Sequence, residues 1–133
     1  MAATPETARP TISTHVLDTE RGLPAAGVHV TLSRIAEGDR PIRVTQALTD
    51  SDGRVRDLLE RPLVAGDYRL EFRLGSDRDG EIDGDEGGDG GDGSARGAFF
   101  RRLAVDLRIT DTGRSYHVPL LLSSFGLTTY RGS

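Results

Sequence analysis

The chain has no cysteine, no lysine and no tryptophan. Without cysteine there is no disulfide framework and no thiolate metal site. Without lysine, catalysis through a lysine Schiff base is excluded, and every basic residue apart from histidine is arginine. Long hydrophobic runs are missing too, since none approaches the ~20 residues that a membrane span requires. The opening MAATPETARP has neither a positive cluster nor an apolar stretch, so no signal peptide is expected. These absences lead us to expect a cytoplasmic protein that does not associate with membranes.

What remains is 133 residues of ordinary apolar content, enough for one domain around a single core. Charge is distributed unevenly. Residues 75–97 hold eight acids against two arginines, a net of −6, and the remainder holds 13 acids against 15 arginines, a net of +2. The folded part is therefore close to neutral. It shows no basic stripe, so no nucleic-acid partner is expected.

Apolar residues recur with a period of two in several short segments. Asp67 to Leu74 places Tyr68, Leu70, Phe72 and Leu74 on one face against Arg69, Glu71 and Arg73. Arg102 to Ile109 repeats the pattern with Leu103, Val105, Leu107 and Ile109. Thr11 to Asp18, Gly27 to Ile35 and Ile42 to Leu48 read as further strands. Asp50-Ser51-Asp52-Gly53 and Asp111-Thr112-Gly113 are turn signals. The last nineteen residues, SYHVPLLLSSFGLTTYRGS, read as a closing hairpin. Seven or eight short strands without a helical period predict an all-β antiparallel sandwich. The immunoglobulin cysteine and tryptophan markers are absent, which removes antibody topology.

Two stretches stand outside that pattern. Residues 1–10 are expected to be a disordered tail, leaving 11–133 as the domain. Residues 75–97, with nine glycines and eight acids, cannot bury enough apolar surface to offset chain entropy and are expected to form a flexible insert. The insert comes near a calcium-loop pattern: with Gly80 sixth, Asp77, Asp79, Asp83 and Glu86 fall at positions three, five, nine and twelve. Position one is Gly75, which offers no carboxylate, so a solvated loop is the preferred reading.

The chemistry candidates are histidines. His29 lies between valines and is read as a surface or packed residue. His15 and His117 lie mid-strand, His117 shortly before a tetrapeptide that includes Arg131. Imidazole titrates near neutrality and suits acid–base work. Two or three histidines could also hold zinc, but no convergent carboxylate is identifiable.

Six segments together carry a resemblance. They are Ser13-Thr14-His15-Val16-Leu17-Asp18, Gly22-Leu23-Pro24-Ala25, Ser51-Asp52-Gly53-Arg54, Ala65-Gly66-Asp67-Tyr68-Arg69-Leu70, Tyr116 to Ser123 (YHVPLLLS) and Thr129-Tyr130-Arg131-Gly132-Ser133. In this order they resemble the 5-hydroxyisourate hydrolases, the transthyretin-like enzymes of purine degradation. The resemblance implies a transthyretin-like sandwich of about eight strands, assembled as a homotetramer, a dimer of dimers with sites between dimers. It implies hydrolytic opening of 5-hydroxyisourate to 2-oxo-4-hydroxy-4-carboxy-5-ureidoimidazoline, with no cofactor and no metal. The implied catalytic residues are His15, Arg54, His117 and Ser133. Substrate binding would fall to His15, Arg54, His117, Tyr130, Arg131, Gly132 and Ser133. On this reading the histidines share water activation while Arg54 and Arg131 bind and polarise the substrate. Three features depart from the family pattern: Leu23 before Pro24, Arg101 after Phe99-Phe100, and the acidic insert in place of a short helix. The alternatives are a non-catalytic carrier on the same fold, which should line its channel with apolar or hydroxylated side chains, and a structural sandwich of a surface protein.

Overall fold

The computed structural model describes residues 9–75 and 99–132. The N-terminal residues 1–8, the acidic stretch with its calcium-like pattern, and Ser133 lie outside the described residues. Among the described residues nine strands form, in the order β1 (Ile12–Asp18), β2 (Leu23–Pro24), β3 (His29–Ala36), β4 (Arg40–Leu48), β5 (Arg54–Val55), β6 (Gly66–Arg73), β7 (Arg102–Ile109), β8 (Tyr116–Leu122) and β9 (Leu127–Thr129). A single 3-10 turn, Glu37–Asp39, joins β3 to β4, and no α-helix occurs among the described residues. No helix there is long and apolar enough to cross a membrane.

The strands divide into two sheets. One runs β2-β1-β8-β9, with β5 also pairing β1, and the other runs β4-β3-β6-β7. Every pairing is antiparallel except one: β1 and β8 run parallel, with Ile12 opposite Tyr116 and Asp18 opposite Leu122. The sandwich expected from the sequence is therefore present, with a parallel pair at its centre that alternation alone does not disclose. The expected turn at residues 19–24 also holds a short strand, as Leu23 and Pro24 pair back onto Asp18 and Leu17.

The core lies between the sheets and follows the period of two. Ile12 and Val16 from β1, Val30 and Leu32 from β3, Leu70 and Phe72 from β6 and Leu120 from β8 are all fully buried. Burying such a side chain contributes about 1.5–3 kcal/mol each. A bulge opposite Leu32 and Ser33 leaves Val44 of β4 as the extra residue, while β3 keeps its register with β6, where Ser33 pairs with Arg69. On the solvent face of the second sheet, Arg69 and Asp106 are register partners of β6 and β7 and form a two-pronged ion pair of 2.7 and 3.2 Å. Arg9, within the expected tail, pairs with Asp57 at 2.7 Å. Exposed pairs of this kind add at most about 1 kcal/mol.

Candidate active site

Alternation along β1 buries Ile12, Thr14 and Val16, which leaves Ser13, His15 and Leu17 on the opposite, outer face. On β8 the buried Tyr116, Val118 and Leu120 likewise leave His117 on the outer face. The parallel register sets Ser13 beside His117 and His15 beside Pro119, so both histidines stand on one face of one sheet.

Arg54 reaches the same face through the Asp50–Gly53 turn. One Asp50 carboxylate oxygen accepts from the main-chain N–H of Asp52 at 2.9 Å and of Arg54 at 3.0 Å. The Gly53 N–H donates to the Asp50 carbonyl at 2.8 Å. Gly53 itself has φ 76°, a conformation that favours glycine, and a Cβ there would run into the Val16 carbonyl oxygen. The Val16 N–H donates to the Gly53 carbonyl at 2.7 Å, so the turn is docked onto β1 and delivers Arg54 as the register partner of His15. The Arg54 N–H, more than any other group, holds the Asp50 carboxyl below its usual range.

The two rings are held differently. His15 Nε2 lies 3.0 Å from the Asp52 carbonyl oxygen. A carbonyl only accepts, so Nε2 carries the proton and donates there. His117 Nδ1 lies 2.8 Å from the Ser13 hydroxyl. Burial lowers the pKa of His117; Arg54 and His15 lower it further, against a hydrogen bond at Ser13 that raises it. The ring is therefore neutral at pH 7.

The end of the chain folds back over this ring. Gly132 donates its N–H to the His117 carbonyl at 2.7 Å and forms an isolated bridge with that residue. A Cβ at Gly132 would stand 2.8 Å from His117 Cδ2, so only glycine allows this approach. Just before it, Thr129 Oγ1 donates to the Pro119 carbonyl at 2.7 Å.

Of the residues expected at the site, His15, Arg54, His117 and Gly132 come together, while Tyr130, half exposed, lines the same cleft as Arg131. Arg131 does not join them. Its guanidinium lies over the Tyr116 ring, 5.1 Å from the centroid, and lines a cleft of about 320 Å³ between β7 and the β8–β9 hairpin. The bridge between Gly132 and His117 sets Arg131 in this protomer on the side of Val118, opposite His117. There Arg131 fastens the tail, a cation–π contact contributing about 0.5–1 kcal/mol. Ser133 lies outside the described residues. Among those described, no group of three or more His, Asp or Glu side chains is placed to hold a metal ion.

Ser13 and the Asp52 carbonyl are the contributors that sequence reasoning missed. Alternation does put Ser13 on the same face as His15, but its pairing with His117 depends on the parallel register.

Comparison with known proteins fits this arrangement. Residues 12–132 match the HIUase/Transthyretin family. The 5-hydroxyisourate hydrolase of Deinococcus radiodurans is 40% identical over 126 residues, covering 93% of this chain and 97% of the relative. The solved structure of Klebsiella pneumoniae 5-hydroxyisourate hydrolase superposes with a TM-score of 0.71 at 33% identity, over 93% of this chain and 99% of that one. Transthyretin from Sparus aurata superposes with a TM-score of 0.73 at 25% identity, over 93% of this chain and 97% of that one. With the family matched across both sheets and the whole described site, the chain belongs to the HIUase/transthyretin family.

Proposed function

We propose that the chain hydrolyses 5-hydroxyisourate to 2-oxo-4-hydroxy-4-carboxy-5-ureidoimidazoline in urate degradation. The observation that carries this reading is the meeting, on one sheet face, of a neutral histidine, a second histidine and an arginine. A carrier of hydrophobic ligands would present an apolar face there.

The residues suit the opening of a cyclic amide. His117 supplies the general base, because its ring is uncharged at neutral pH and so can accept a proton from water. Water oxygen attacks the lactam carbonyl as His117 takes that proton, and the carbonyl becomes an oxyanion. Arg54 binds the planar, partly anionic substrate and stabilises the oxyanion. When the carbon–nitrogen bond breaks, the imidazolium returns the proton to the leaving nitrogen, and the carbonyl carbon becomes a carboxylic acid that loses its remaining water proton to solvent as a carboxylate. His15, committed through Nε2 to the Asp52 carbonyl, contributes substrate contact rather than the base. No cofactor is needed for these steps.

A homotetramer, arranged as a dimer of dimers, completes the reading. The outer face of β1 and β8 is open in a single protomer, and a partner closing over it would exclude water. Two turns at one end of that sheet support such a contact. They are laced together by Glu20, whose carboxylate accepts from the Ser124 N–H at 2.8 Å, and they present Leu23 and Phe125, 54% and 90% exposed. Large exposed apolar residues close together mark interaction surfaces.

The test is decay of freshly generated 5-hydroxyisourate, with spontaneous decay subtracted, for the native chain, His117→Ala and His15→Ala. Activity above background in the native chain, lost by at least about a hundredfold in His117→Ala, supports the assignment. A background-level native rate would favour the carrier.

A further inference from the structure

The turn before β5 touches the site twice, through a main-chain carbonyl and through Arg54. A trans peptide is planar, so its N–H and its C=O point in opposite directions. The Gly53 N–H donates to the Asp50 carbonyl at 2.8 Å, which turns the other end of that peptide, the Asp52 carbonyl, away from Asp50. On that side it meets His15 Nε2 at 3.0 Å. The next peptide repeats the arrangement: the Arg54 N–H donates to an Asp50 carboxylate oxygen at 3.0 Å, and the Gly53 carbonyl accepts from the Val16 N–H at 2.7 Å. The same carboxylate oxygen takes the Asp52 N–H of the preceding peptide at 2.9 Å. The peptide presented to His15 is thus braced on both flanks by one side chain, and Asp50 is itself exposed and no part of the core.

We propose that Asp50 and Gly53 are positioning residues, which hold the Asp52 carbonyl against His15 so that the ring keeps its proton on Nε2 and stands in register with Arg54. A carbonyl accepts only, so a neutral ring bound to it has its lone pair on Nδ1. The two residues act by different means. Gly53 lets the turn lie against β1, since a Cβ there would run into the Val16 carbonyl oxygen. Asp50 uses the Asx habit of binding main-chain N–H groups a few residues on, which fixes the peptides on either side of the Asp52–Gly53 link. Removing its carboxylate leaves the Gly53 N–H bond in place but frees both flanks. Moving the turn off β1 takes away the carbonyl itself, and nothing then selects Nε2 over Nδ1.

This role rests on the hydrolase reading of the face, so the experiment reads the ring as well as the rate. The full chain is labelled with 15N at histidine, and the His15 tautomer is read from long-range 15N–1H spectra at mildly alkaline pH, its signals assigned by their loss in His15→Ala. Gly53→Ala, Asp50→Ala and Asp50→Asn are compared with the native chain, with kcat/KM measured on fresh 5-hydroxyisourate. The expected result is Nε2–H in the native chain and a mixed signature in Gly53→Ala, with kcat/KM lower by about a hundredfold, the scale of a 1 Å misplacement. Asp50→Ala should shift part of the way and lose about tenfold, as when an outer hydrogen-bond partner is removed. Asp50→Asn, whose amide oxygen accepts the same two N–H groups, should restore the signature and most of the rate. A native His15 in the Nδ1–H form overturns the proposal even if no variant folds. A folded Gly53→Ala with the native signature overturns it too. So does a folded Asp50→Ala with the native signature and a kcat/KM within about twofold of native, whatever its urea midpoint. If the native chain turns over no 5-hydroxyisourate, the hydrolase reading falls while the spectra still decide what holds His15.

Discussion

Replacing Gly132 by alanine isolates the contact between the chain end and His117. The added Cβ would stand 2.8 Å from His117 Cδ2, 3.2 Å from the His117 carbonyl oxygen and 3.3 Å from its Cβ. Carbon atoms in van der Waals contact sit about 3.5–4.0 Å apart, so roughly 1 Å must be found. The main chain cannot withdraw freely, because the Gly132 N–H is bonded to the His117 carbonyl at 2.7 Å. The ring must swing, pulling Nδ1 from Ser13, or the tail must lift and lose that bond. Gly132 is not among the glycines with positive φ, so alanine meets no conformational penalty and the effect is purely steric. A misplacement of about 1 Å costs on the order of a hundredfold in rate, or roughly 2.7 kcal/mol of barrier. Gly132 contributes nothing to the core, so the urea midpoint should hardly move. The assay is kcat/KM on fresh 5-hydroxyisourate beside a urea titration followed by circular dichroism. A folded Gly132→Ala protein with kcat/KM within about twofold of native would refute the reasoning.

Two further outcomes follow from the same geometry. Because burial, Arg54 and His15 depress the His117 pKa below its ordinary 6.5, the neutral ring persists at mildly acidic pH; kcat/KM should be level at pH 7 and fall only as pH drops below 6.5, and an acid limb centred at or above 6.5 would contradict the burial argument. The same shift has a sign for stability: the unfolded chain takes up this proton first, so His117's contribution is complete above 6.5 and is lost as pH falls from 6.5 through the folded-state value. In the other sheet, Phe72 is fully buried, and Phe72→Ala should cost about 3–5 kcal/mol, read as a lower urea midpoint. Retention of the native midpoint would mean that the core between the sheets is not what holds them together.

Much of this architecture is legible in the sequence because a half-buried strand writes itself in a period of two. Tyr68, Leu70 and Phe72 are buried as their spacing requires, and Asp50 to Gly53 makes the turn its residue types demand. His15, Arg54 and His117 are legible through the segments that hold them. What alternation cannot convey is which strands lie side by side. The parallel pairing of β1 with β8 joins residues more than a hundred positions apart, and Ser13 gains its partner only through that pairing. The placement of Arg131 depends on register too. Once Gly132 is bridged to His117, the residue before it must face the opposite side. The bulge of β4 at Val44 is a third case, since one extra residue shifts its register against β3.

The parallel β1–β8 pair also bears on how the chain comes to be active. Ser13 and His117 are separated by 104 positions, so their contact closes a loop spanning most of the polypeptide. Contacts of such long range form slowly, because the entropy of closure is met before any neighbouring contact rewards it. Assembly of the candidate site is therefore a late event in folding, and no fragment lacking either β1 or β8 holds both of its histidines. The acidic stretch falls between β6 and β7, both in the sheet that does not carry the site. The candidate site thus belongs to strands from the two ends of the chain, which meet last.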